Sequence, residues 1–395
     1  MKTLLQDSTL PCATPSDDAP DFTSGTLAAL VAFAAITPLL LLVAPAVAGQ
    51  LGAQLGLSAS QIGTYFFVEL GAFCLATLPS YLWLGRVDAR RVAWCATAAF
   101  CVGNLATAVT MPDFVPLLAL RAVTALGGGT LMVLCMTSAA ASSNSDRVYG
   151  LWVVGQLIAG AAGLFLLPHL FDAVGLRALY AVLAALALCA APLANRFPAV
   201  PRARPRRAHG ARPDASRAPT AFAIGGVRTF YLAIGGVWTF ANKAAAAVGF
   251  DAQASGNVLA IASLMGIAGA ALASYLGGRA ARRAMLYVGY GILAASLVML
   301  AAMPNASGYT TAIFGFKFAW TFVLPFILAS VAAVDTTGRL IATLNFVIGA
   351  GLAAGPLVAG LLLDGGGTLR ALFTIAATVS VLSLAALLRV ERGAH

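Results

Sequence analysis

Three ionisable residues stand in stretches that are otherwise apolar: Glu69 in YFFVELGAF, Arg121 in LALRAVTAL and Lys317 in FGFKFAWTF. A charged side chain at the centre of a bilayer costs ~2.5–3.5 kcal/mol on insertion scales. Charges held at that cost pair with one another or face a polar cavity on a substrate or ion path. Glu69 is the one acid of fourteen well inside an apolar run. It is the candidate proton carrier, and protonating it would release Arg121. The alternative is a purely structural Glu69–Arg121 ion pair. Lys317 sits among five aromatic residues with no acid on its own run. It is therefore either neutral or neutralised by a bound anion, and the anion is the preferred reading.

Spacing places the three together. Glu69, Arg121 and Lys317 each lie nine residues beyond the start of a run, at Ser60, Pro112 and Gly308. At 1.5 Å per residue that is a depth of ~13–14 Å, near the middle of a ~30 Å hydrocarbon core. Trp238 and Asn242 are one turn apart, as are Lys317 and Thr321, so each pair shares a helix face. Trp238 and Trp320 are candidates to stack on an aromatic or amphipathic solute, or else packing residues. Gln156 and Asn345 are candidate polar contacts. Lys243, near a run's end, reads first as a snorkelling lysine.

The elements that position these residues follow from composition. The chain has 395 residues, 60% hydrophobic and 10% charged, against about 25% charged in soluble domains. Apolar runs predict twelve spans, at roughly 24–48, 60–84, 91–110, 113–140, 148–170, 175–194, 222–246, 254–277, 284–303, 308–333, 339–362 and 369–389. Each must be helical, because lipid offers the backbone no hydrogen-bond partners. The fold class is all-α and polytopic, with two six-helix halves. Residues 1–23 form a polar cytoplasmic tail, 24–195 the first half, 196–221 a Pro/Arg-rich cytoplasmic linker, 222–390 the second half and 391–395 a cytoplasmic tail.

The pI near 9.7 reflects topology rather than nucleic-acid binding. Nineteen of the 24 Lys and Arg residues fall in segments on one side, and only Arg177 and Arg370 in loops on the other. This asymmetry places both termini in the cytoplasm. The six cysteines form no CxxC pair and the three histidines no cluster, so no metal or cofactor is expected. No HExxH, no paired membrane aspartates and no GxxxxGK[ST] occurs, which argues against an enzyme and against ATP-driven transport.

The halves repeat. SYLWLGRVDARR (80–91) returns as SYLGGRAARR (274–283), LGLSASQIG (55–63) as VGFDAQASG (248–256) and AAGL (161–164) as AAGP (353–356). The last two share an offset of 192–193, the mark of a tandem duplication and of a known transporter plan.

On these features the chain resembles the major facilitator superfamily over about residues 24–390. The family's GxLaDRxGRR loop is similar to Leu84–Arg91, but the family's Asp falls on Arg86. The repeat copy, Gly278–Arg283, also lacks it. Arg90, Arg91, Arg282 and Arg283 are thus candidate gating-loop residues without that family lock, or plain cytoplasmic anchors. LALRAVTALGGGT is similar to the family's RxxxGxG pattern, with Arg121 matching and Ala125 replacing the first Gly. The GPxxGG of drug:proton antiporters is not matched on the fifth span, which has Gly155, Gly160 and Gly163 but no Gly-Pro pair, its one proline being Pro168.

The resemblance implies a non-enzymatic secondary transporter with a central cavity lined by spans 1, 4, 7 and 10, so that Arg121 and Lys317 would face each other. The expected protein is a monomer in a bacterial inner membrane. It takes a small organic anion, with aromatic character as an option, by proton-coupled symport. The substrate-binding candidates are Arg121, Lys317, Trp238, Asn242, Trp320 and Gln156, with Glu69 for proton coupling. The rival reading is a proton-coupled drug or metabolite exporter.

Overall fold

The computed structural model describes residues 22–84, 86–140, 142, 145–197, 217–302, 305–334 and 339–393. Most of the expected tail and linker, and the side chain of Asn345, lie outside the described residues. The described chain is helical throughout, and eleven helices are long and apolar enough to cross a membrane.

The first half starts with α1 (Ser24–Ile36), α2 (Leu39–Leu42) and α3 (Ala44–Leu55). The run expected as one span over 24–48 is therefore broken twice. Pro38 and Pro45 each lack an N–H for the helical ladder, and the chain leaves α-geometry at Pro38 and Val43. Next come α4 (Ala59–Leu75), α5 (Thr77–Trp83), α6 (Ala89–Thr110), α7 (Phe114–Ala140), α8 (Ser145–Val174) and α9 (Leu176–Ala190). The second half comprises α10 (Arg217–Thr239), α11 (Ala241–Ala247), α12 (Ala252–Leu276), α13 (Arg282–Ala301), α14 (Ala306–Val334), α15 (Arg339–Asp364) and α16 (Leu369–Gly393). Exposed Leu82, Val102, Val109, Val115 and Leu382 give the outside the apolar surface that lipid covers.

The sequence repeat is also a structural one. Gly56 and Gly249 both take positive φ, and two residues later Ser58 and Asp251 both cap a helix, α4 and α12. A turn that only glycine adopts without strain, followed by a capping oxygen, starts the second helix of each half.

Within each half, α6 packs on α7 and α9, and α13 on α14 and α16. Between halves, α4 lies along α15, α8 along α12, and α3 meets α11. These contacts are tightest at the end remote from Arg86, Arg90, Arg279 and Arg282, here called the far end; the arginines mark the basic end. At the far end the first turn of α4 is capped twice. Ser58 Oγ accepts from the Gln61 N–H, and Asp364 of α15 accepts from the N–H groups of Ala59 and Ser60 at 3.0 and 2.8 Å. A carboxylate at a helix N-terminus satisfies orphan donors and opposes the helix dipole. Here that carboxylate belongs to the other half.

Backbones also touch there. A Cβ on Gly63 would stand 2.5 Å from the Pro356 carbonyl oxygen, and one on Gly360 still closer to the Ala59 oxygen. Both obstacles are main chain and cannot rotate aside. Gly63→Val should therefore hold the far ends apart. Spin labels at exposed Ala53 and Leu361 should report a longer distance than in wild type. Gly71→Val, where an added Cβ meets nothing within 4 Å, should leave that distance alone.

Candidate functional site

Glu69 and Arg121 meet in the first half. Arg121 Nε donates to Glu69 Oε2 at 2.8 Å and Nη2 to Oε1 at 2.7 Å. Nη1 donates to Asn104 Oδ1 at 2.8 Å, and the guanidinium lies 5.0 Å from the centroid of the Tyr180 ring. The Tyr180 hydroxyl bonds that of Tyr65 at 2.8 Å. Arg121 is 0% and Glu69 6% exposed. The planar fork matches both carboxylate oxygens, so each charge in this pair is neutralised by direct contact.

Lys317 is handled differently. It is 2% exposed, and its Nζ lies 4.0 Å from the Trp238 ring centroid and 3.9 Å from that of Trp320. The rings stand edge to face, 6.2 Å apart, and Trp238 Nε1 is anchored on the Leu41 carbonyl at 3.2 Å. Cation–π contacts contribute ~0.5–2 kcal/mol each, so two of them offset a large part of the insertion cost. They accept no hydrogen bond from the ammonium. Among the described residues neither a carboxylate nor a hydrogen-bond acceptor reaches Lys317 Nζ.

Both arrangements border one cavity of about 330 Å³ between the halves. Glu69, Gln156, Lys317, Trp320 and Thr321 are in its wall, together with Thr37 from the break between α1 and α2. The wall reaches Thr77, Met136 and Trp152, so the cavity extends from mid-depth toward the basic end. The far-end contacts close it on the other side.

The expected site residues divide accordingly. Glu69, Gln156, Lys317 and Trp320 line the cavity. Arg121 does not: Glu69 stands between it and the space, so Arg121 and Lys317 do not face each other directly. Trp238 is fully buried and presents its face to Lys317 rather than to the cavity. Asn242 lies at the far end, where it accepts a hydrogen bond from Ser255 Oγ and borders a separate cavity of about 190 Å³ with Asp172 and Asp251. The four loop arginines stay within their own halves. Arg90 donates to the Phe197 carbonyl, Arg282 pairs with Glu391 at 3.1 Å and Arg283 donates to the Glu391 carbonyl; Arg91 is exposed.

Asn104, Tyr65 and Tyr180 were not among the residues expected from sequence. Asn104, in CVGNLATAV, carried a readable signal, a polar side chain deep in an apolar run. The tyrosines carried none, since tyrosine in a membrane helix is ordinary.

Two helical bundles that close at one end over a central cavity, with the carboxylate of a buried ion pair and a lysine without an acidic partner in its wall, are the architecture of a membrane solute transporter. The sequence matches the Major Facilitator Superfamily over residues 23–337, and the chain belongs to that family. No curated protein matches it in sequence. Among solved structures it is similar to the nucleoside transporter NupG, with a TM-score of 0.70 and 12% identity over 93% of this chain and 99% of that one. It is also similar to a bacterial homologue of the human lysosomal transporter Spinster in an inward-facing, unoccupied conformation. There the TM-score is 0.67, with 14% identity over 93% of this chain and 96% of that one. At such identities the likeness shows the fold alone.

The pair generates a stability prediction. Arg121→Ala strands a buried carboxylate, a change that costs about 3–5 kcal/mol. The double variant Arg121→Ala/Glu69→Ala should recover part of that loss. A thermal-stability cycle should show coupling above ~1 kcal/mol; plain additivity would contradict direct pairing.

Proposed function

We propose that this transporter moves a small organic anion by alternating access, in a bacterial inner membrane with both termini in the cytoplasm. In that orientation the basic end is cytoplasmic and the described conformation faces inward. The observation that supports the anion reading is the ammonium of Lys317, held at the cavity wall between two indole rings with no acidic partner. With Glu69 already matched by Arg121, the cavity carries one uncompensated positive charge. A carboxylate would supply the acceptors that the rings do not.

Glu69 is the proposed proton carrier. It is the acid in the cavity wall among the described residues, and protonation would remove the charge that holds Arg121. The Arg121 fork, still held by Asn104 through Nη1, would then be free to turn its other N–H groups toward solute. This couples proton binding to the shape of the wall, and makes the cycle a symport. Arg121 is thus proposed as a group revealed during the cycle, and Trp238 as the support that aims Lys317.

In proteoliposomes, Glu69→Gln should abolish accumulation driven by a pH gradient while solute exchange remains measurable. Uptake still driven by the gradient would remove Glu69 from coupling. Lys317→Met removes charge and insertion cost together. The variant should be at least as stable as wild type and fail to bind anions. Loss of fold would indicate a structural charge, and full anion transport by a folded Lys317→Met protein would exclude the anion site. Transport of organic cations or neutral drugs in exchange for protons is the result that would favour the exporter reading.

A further inference from the structure

The wall of the central cavity limits what kind of anion fits. Its polar side chains are largely occupied by the protein itself. Thr37 Oγ1 donates to the Phe33 carbonyl at 2.9 Å and Thr321 Oγ1 to the Gly266 carbonyl at 2.7 Å. Gln156 Nε2 donates to the Ala34 carbonyl at 2.9 Å. Both Glu69 oxygens accept from Arg121. Among the described wall residues, the side-chain donors left over are the Lys317 ammonium, the second N–H of Gln156 and the hydroxyls of Thr77 and Tyr231, four groups on four different helices, while the Gln156 carbonyl and the hydroxyl oxygens of Thr37 and Thr321 can still accept. The rest is hydrocarbon, sulfur and aromatic surface, including Phe73, Met132, Met136, Leu324 and Leu352.

A sugar or nucleoside brings many hydroxyl and ring polar groups. Each loses water on entry and costs free energy unless the wall replaces the bond. This wall cannot replace them in number. A second carboxylate on the solute would find no second free cation among the described wall residues, and would meet the Glu69 carboxylate across the same space. An alkyl or aryl body, by contrast, gains about 0.8 kcal/mol per buried methylene. At about 330 Å³ the space falls at the lower end of the ~300–1,000 Å³ typical of ligand sites.

We infer that the solute is an amphipathic monoanion: one carboxylate-like head on Lys317 and a predominantly apolar body along the Met132–Met136 and Leu324 walls. This rests on the anion reading proposed above and adds the character of the rest of the molecule. It also separates this chain from a carrier of polyhydroxylated solutes, although its fold is shared with a nucleoside transporter.

The test uses the purified full-length protein and a series of straight-chain carboxylates from propionate to octanoate. Uridine, glucose, succinate and tetraphenylphosphonium serve as comparators. Affinity is read from thermal stabilisation, and Lys317→Met sets the baseline for acids partitioning into detergent. The expected result is a rise of about fourfold in affinity per added methylene, lost across the whole series in Lys317→Met. Leu324→Ser should lower octanoate affinity more than propionate affinity. Uridine, glucose and succinate should give no shift. Carboxylate binding that needs Lys317 but ignores chain length, or equal binding of succinate, would overturn the apolar body and leave the anion site standing. Uridine or glucose binding would overturn the inference outright. Stabilisation by tetraphenylphosphonium with none by any carboxylate would overturn both readings.

Discussion

A charge in hydrocarbon must be matched, and the centre of this protein is arranged around two different ways of matching one. Arg121 is matched completely. A carboxylate accepts from two edges of its fork, an amide from a third position, and a phenol ring covers its face. Lys317 is matched only in part, by two aromatic faces that attract the charge without accepting its protons. The first arrangement is closed and the second is open. That difference, more than the number of charges, is what gives the cavity a polarity.

The fold serves this difference in polar partners. Long helices alone would not bring Glu69 and Lys317 to one space, because they belong to opposite halves. The halves meet through backbone contact at Gly63 and Gly360 and through Asp364 capping α4. These contacts all lie near the far end, so closing it leaves room between the halves at mid-depth and beyond. The break at Thr37 and Pro38 opens the first span beside that room and admits Leu41, whose carbonyl holds Trp238. Trp238 in turn backs Lys317. A local defect in one half thereby fixes the orientation of the lone cation in the other.

Much of this was legible in the residues. Hydropathy marked the spans, and the equal nine-residue spacing of Glu69 and Arg121 brought them to one depth, where they are found in contact. The return of LGLSASQIG as VGFDAQASG marked the duplication, and the structure places a glycine turn in each copy, at Gly56 and Gly249. What was not legible was rotation about the helix axes. Depth along a helix follows from counting residues, but the face a side chain presents depends on packing against neighbours. Arg121 was therefore expected in the cavity and lies behind Glu69. Trp238, a candidate either to stack on solute or to pack, is buried against Lys317. Asn242 shares the helix face of Trp238 by spacing, but α10 ends at Thr239, and the new helix α11 carries Asn242 to the far-end cavity. The kinks that redirect these residues depend on where tertiary contact replaces a missing ladder bond, which a single run of apolar residues does not disclose.

The central claim is that anion binding uses Lys317 while the Glu69–Arg121 fork stays intact in the described conformation. The most direct measurement is the structure of the full-length protein with 4-bromobenzoate, whose bromine and carboxylate ends can be told apart. The account predicts the carboxylate within hydrogen-bond reach of Lys317 Nζ, the bromine among the apolar wall residues near Met132 and Leu324, and Glu69 still paired with Arg121. A carboxylate bound to Arg121 with Glu69 displaced, or a ligand seated in the far-end cavity beside Asn242, would contradict it.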